Sequence, residues 1–204
     1  LTAGVEGALG LGADLFRSDV TLDVALPDIA PLVPQYTGPV AVSGRATGQP
    51  DETFDVDLDA RGPHDLTAAI EGAVGLEGGL SRTDVTLDIR LPDIAPFVPQ
   101  YSGAVTVDGT AQGAGAESLR VGLDVTAPHD ATATIDGTVL GGAGDVRLTA
   151  EVPDVSAYAP GVPGNVTLAG TAEERADGLW DVALDAGLPY NATATVQGAA
   201  GPRD

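Results

Sequence analysis

The chain has 204 residues, 30 acidic and 9 basic side chains, every basic one an arginine, and a formal charge of -21. Nucleic acid is excluded as a partner, because neutralising phosphates takes a surplus of cations, and so is flat adsorption to an anionic membrane. There is no cysteine, so neither a disulfide framework nor a thiolate metal site is available.

In chain order, the sequence opens with LTAGVEGALG at 1–10, an alternating segment that reads as a strand. Next comes SDVTLDVALPDIAPLVPQYTG at 18–38. It returns as TDVTLDIRLPDIAPFVPQYSG at 83–103 and, worn down, as GDVRLTAEVPDVSAYAPGVPG at 144–164. Pro27, Pro92 and Pro153 mark the copies, 65 and then 61 residues apart. The opening segment returns too, as LTAAIEGAVG at 66–75, ATATIDGTVLG at 131–141 and ATATVQGAAG at 192–201. A period of this kind means one structural unit stacked on copies of itself. The units are set at 1–65, 66–130 and 131–204, the last including the start of another. Leu1 opens inside a repeat, so the expectation is one continuous segment of a larger protein. Four residues are missing from the third copy between Leu140 and Gly144. That marks a loop, since loops tolerate deletion and strand interiors do not.

Nearly every segment alternates apolar and polar, which is the strand period. Asp19, Thr21 and Asp23 share one face of their strand; the apolar residues between and after them share the other. The candidate inward residues of the first copy are Val20, Leu22, Val24, Val40, Val42, Val56, Leu58 and Ile70. Those of the second are Val85, Leu87, Ile89, Val105, Val107, Val121, Leu123 and Ile135. Those of the third are Val146, Leu148, Val166, Leu168, Val182 and Leu184. Four strands per repeat, about 16 residues apart, suit strands of ordinary length joined by short turns. The expected fold is therefore all-β, an elongated antiparallel sheet of about thirteen strands. No helix is available to cover its apolar side. Such a layer has to fold into a sandwich, close as a barrel or curl into a trough, and the residues alone leave the three open.

Two details recur within the strands. Val40-x-Val42-x-Gly44-x-Ala46, Val105-x-Val107-x-Gly109-x-Ala111 and Val166-x-Leu168-x-Gly170-x-Ala172 run from large to small along one apolar face. Gly72, Gly137 and Gly198 interrupt a second strand of each repeat. An inward glycine marks a bend, the preferred reading, or a close approach by another group. Between strands, PDIAPLVPQY is too rich in proline to be one. Asp28 is placed there to cap a single helical turn.

The motifs that suggest chemistry have plainer readings. Asp55-Val-Asp57-Leu-Asp59 starts like a calcium loop, but Arg61 and Gly62 stand where a ligand is needed and Leu66 where the closing Glu belongs. Alternation accounts for these aspartates as the wet face of a strand. Gly141-Gly142-Ala143-Gly144-Asp145 occurs once, whereas calcium-loaded β-rolls need many copies. His64-Asp65 and His129-Asp130 follow prolines, and the third copy has Tyr190-Asn191 there. A turn explains all three better than a general base does. Trp180 sits on an apolar strand face and reads as packing. No catalytic residue, metal site or cofactor is expected, and the chain is not read as an enzyme.

The phrase LPDIAPLVPQYTGPVAVSGRATG followed by TFDVDLDARG resembles the middle region of the TamB family. These are the inner-membrane components of the translocation and assembly module of Gram-negative bacteria, related to AsmA-like proteins. The marks are the thrice-repeated P-D-[IV] loop and the G-x-V-x-[VL]-x-G-x-A strand after it. The resemblance covers essentially the whole chain. It implies a sheet curled lengthwise into a trough, a β-taco, with an apolar interior. It further implies a periplasmic protein, anchored in the inner membrane by a region outside this chain, that carries phospholipid to the outer membrane or assists outer-membrane protein assembly. The implied partners are phospholipid acyl chains, the rest of the parent chain at both ends, and an outer-membrane barrel reached through other regions. The family lacks a catalytic motif. The alternative function is an acidic β-repeat stalk or adhesin with a closed core.

Overall fold

The computed structural model describes residues 2–8, 10, 17–31, 33, 37–76, 79–115, 117–139, 144–175 and 177–201. Its strands follow the alternating segments. They are β1 (Thr2–Ala8), β2 (Asp19–Leu26), β3 (Val40–Gly48), β4 (Thr53–Arg61), β5 (Thr67–Gly75), β6 (Asp84–Leu91) and β7 (Val105–Gly113). Then come β8 (Leu119–Ala127), β9 (Ala131–Val139), β10 (Asp145–Val152), β11 (Val166–Glu174), β12 (Trp180–Leu188) and β13 (Ala192–Ala200). Each pairs antiparallel with the next, so all 13 form one sheet in sequence order, β1 to β13. The ladder continues across positions 65 and 130, which lie in hairpin turns inside it.

The sheet is a single layer, neither closed into a barrel nor folded into a sandwich. Between strands, the substantial contacts run only from each strand to its sequence neighbours. Of the three ways to hide the apolar side, the chain adopts the elongated curl. The result is half-burial. Along β4, Phe54, Val56, Leu58 and Ala60 are partly covered while Asp55, Asp57 and Asp59 are exposed. Among the described residues no side chain is wholly buried, and the most buried hydrophobic one is Ala131, at 8% exposure. In the edge strands Val5 and Val196 are 69% and 62% exposed.

The expected helical turn after the P-D-[IV] prolines is present. Val33 N–H donates to the Ile29 carbonyl, Val98 to Ile94 and Ala159 to Val155. The loop inferred from the shortened third copy lies between β5 and β6 in the second repeat. Residues 140–143 of the third lie outside the described residues.

Candidate functional site

Register turns the alternating strands into straight rows across the sheet. The central row reads Val5, Leu22, Gly44, Leu58, Ile70, Leu87, Gly109, Leu123, Ile135, Leu148, Gly170, Leu184, Val196, one residue per strand. On one side of it run Val20, Ala46, Val56, Gly72, Val85, Ala111, Val121, Gly137, Val146, Ala172 and Val182. On the other run Val24, Val42, Ala60, Ala68, Ile89, Val107, Val125, Ala133, Ala150, Leu168 and Ala186. Nearer the looped end, Leu26 faces Val40, Leu91 faces Val105 and Val152 faces Val166. Every candidate inward residue falls in one of these four rows, and no charge interrupts the first three.

An added Cβ on Gly198 would meet nothing within 4 Å, and the other inward glycines divide into two kinds. A Cβ on Gly44, Gly109 or Gly170 would strike Cδ2 of Leu58, Leu123 or Leu184, at 2.1, 2.8 and 2.6 Å. Each gap in the row is filled from the side by a leucine, which is the contact reading. Gly72 is different. Its φ is +137°, and a Cβ there would lie 2.1 Å from the Asp84 carbonyl oxygen. Both the bend and the close approach apply, and the close neighbour is backbone.

One long edge of the sheet carries a repeated clasp. Asp28 Oδ1 accepts from Ala30 and Gly38 N–H, both at 3.0 Å. Asp93 does the same with Ala95 and Gly103, and Asp154 with Ser156 and Gly164. These N–H groups favour the charged carboxylate. Ala30 and then Gly38 lower the pKa of Asp28, Gly103 and then Ala95 that of Asp93, and Ser156 chiefly that of Asp154. The clasped glycines have φ of +119°, +121° and +124°, and each seats against the proline of the next hairpin turn, Pro63, Pro128 or Pro189.

The His–Asp pairs are those hairpin turns. His64, Asp65, His129, Asp130, Tyr190 and Asn191 all have φ near +60°, a geometry costing about 1–2 kcal/mol for a residue with a side chain. The first two of these turns meet rings from the following repeat. His64 stands edge-on to Phe97 with centroids 5.5 Å apart, and His129 to Tyr158 at the same distance. Tyr158 O–H donates to the Pro128 carbonyl and its ring packs on Tyr101. Loops and turns thus form one file along this rim. That file escaped the sequence reading, which found the turns but not their contacts. The available signal was the aromatic residue shared by Phe97 and Tyr158 at one loop position.

The other face is acidic. Asp88, Asp108 and Asp124 stand directly opposite one another on β6, β7 and β8, a repulsive arrangement. Arg90 relieves it by bridging Asp88 and Asp108, at 3.0 Å from the latter. Thr134 donates to Asp124. The Asp55–Asp59 series lies in line along β4 rather than converging. Among the described residues no group of three or more His, Asp or Glu is arranged to hold a metal. A twisted sheet has hollows on both sides. An open one of about 680 Å³ lies on this polar face, lined mainly by threonines from Thr132 to Thr195 together with Glu151 and Asp185. Trp180 packs its ring over Gly144.

Comparison with family models, characterised proteins and solved structures gives no match to this chain.

Proposed function

We propose that the chain is a conduit segment whose apolar face takes up the acyl chains of phospholipid. The observation that carries this reading is the uncovered central row, apolar across all thirteen strands. Burying hydrocarbon against it gains about 25 cal/mol per Å² of apolar surface removed from water. No charge lies in the rows, so selectivity among headgroups is expected to be poor. The acidic face keeps the sheet in solution and opposes edge-to-edge association.

The resemblance to the TamB family supports the same reading and extends it. In that extension the chain is part of an inner-membrane-anchored protein in the periplasm, serving phospholipid transport to the outer membrane, outer-membrane protein assembly, or both. The stalk alternative requires the same face to be packed shut in solution.

The test places photo-crosslinkers at Leu58, Leu123 and Leu184 on the central row, and at Asp59, Asp124 and Asp185 on the acidic face. The protein is then incubated with phospholipid vesicles. A conduit gives lipid adducts at the first three positions and not at the last three. Absence of adducts, or equal adducts on both faces, refutes it. A second arm uses Val107→Glu. A carboxylate buried without a partner costs several kcal/mol, but on an open face it reaches water. The variant is therefore expected to stay folded and to lose adducts at Leu123. Unfolding of the repeat would favour the closed stalk.

A further inference from the structure

The apolar face ends, at the looped rim of the first repeat junction, in a small hollow. It is half-open, with about 270 Å³ between Ile29, Val40, Pro63, Leu66, Ala68 and Phe97. Arg61 and Gly62 line it as well, and the surface turned into the hollow is apolar throughout. At the second junction Ala131 stands where Leu66 does, and Tyr158 where Phe97 does. There Tyr158 makes contacts that Phe97 does not. Tyr158 bonds the Pro128 carbonyl, packs on Tyr101 and meets His129 edge-on. Burial raises the pKa of its hydroxyl, and Ala131 is the most buried hydrophobic residue described. Phe97 meets His64 in the same way but has no hydroxyl to reach the turn carbonyl.

We propose that the first-junction pocket is a binding site for a small uncharged hydrocarbon group. The chemistry follows from the wall. An apolar surface leaves the polar groups of sugars and nucleotides unpaired, and Arg61 is the one charged residue of the lining. The size follows from the volume. A dry cavity of about 150 Å³ lined by such side chains accepts benzene, and ligand pockets for whole drug-sized molecules start at about 300 Å³. The site therefore takes a ring or the end of a chain, not a whole lipid. Val40 and Ala68 belong to the rows of the apolar face, so a chain lying on that face has a path into it. The occupant is either a free small hydrocarbon or the terminus of a longer chain. The site goes beyond the conduit reading and stands or falls apart from it.

The experiment follows the methyl resonances of Ile29, Val40 and Leu66 during titration with benzene, with Leu123 and Leu184 as references on the central row. Saturable shifts confined to the pocket methyls are expected, and Ala68→Leu is expected to abolish them without moving the melting midpoint by more than a few degrees. If that variant does not fold, Ala60→Val narrows the same pocket from β4. A parallel titration with a short monoacyl phosphocholine, below its micellar concentration, identifies the source. Shifts with both probes assign the site to chain ends, and shifts with benzene alone assign it to free hydrocarbon. Non-saturable shifts, or shifts as large at Leu123 and Leu184, overturn the proposal. Crosslinked lipid on the central row with no benzene site sinks the pocket alone; the reverse result sinks the conduit alone.

Discussion

Gly72 and Gly109 both interrupt an apolar face, yet they answer to different neighbours. At Gly109 an added methyl meets Leu123 Cδ2, the far end of a flexible side chain, and Leu87 Cβ at 3.2 Å. At Gly72 it meets the Asp84 carbonyl, in a backbone conformation that side chains rarely adopt. Gly109→Ala is therefore expected to cost about 1 kcal/mol or less, since a residue with a Cβ also loses less entropy on folding. Gly72→Ala is expected to cost about 2–3 kcal/mol. Urea denaturation of the two variants checks the order, and equal midpoints would contradict it. The sequence showed that both glycines face inward. It could not separate them, because the deciding atom belongs to the neighbouring strand and only register brings it there.

The clasp aspartates make a second prediction at this scale. Their folded pKa values lie below the ordinary carboxylate value, so their contribution is complete above that value and disappears as pH falls through the folded one. The triple variant Asp28→Asn, Asp93→Asn, Asp154→Asn keeps an acceptor at each loop but cannot titrate there. It is expected to lose less stability than the parent on acidification, measured as the melting midpoint between neutral pH and pH 3. An unchanged acid slope would show that these three groups do not contribute to it.

At the scale of the element, the strands were legible because alternation is a local signal and each strand keeps its pattern. The rim was less so. Pro63, Gly38 and Phe97 come from a turn and two loops, and their meeting depends on how successive repeats stack. Interior strands have a hydrogen-bonded neighbour on each side, whereas β1 and β13 have one and are exposed along their whole length. Hydrogen exchange is therefore expected to be slowest in β5 to β9 and fastest in β1 and β13. Uniform protection across all strands would mean that the ends are covered in solution, by a further strand or a second copy.

At the scale of the molecule, the thirteen-strand sheet and its two unlike faces were readable from repeat and alternation alone. How the apolar face is resolved was not in the alternation; the trough was expected from the family resemblance, and the sheet is curled and open as that expectation had it. The same pattern of Val20, Leu22 and Val24 serves a sandwich, a barrel or a trough, because alternation says which residues share a face but not what lies opposite. The structure leaves that face half-buried and without a second layer, which is the ground for the proposed conduit. The measurement that tests the central claim most directly is native mass spectrometry of the protein purified without detergent. The account predicts masses above the apoprotein by whole phospholipids, of mixed headgroup, lost in Val107→Glu. Bare protein alone, after exposure to phospholipid vesicles, would contradict it.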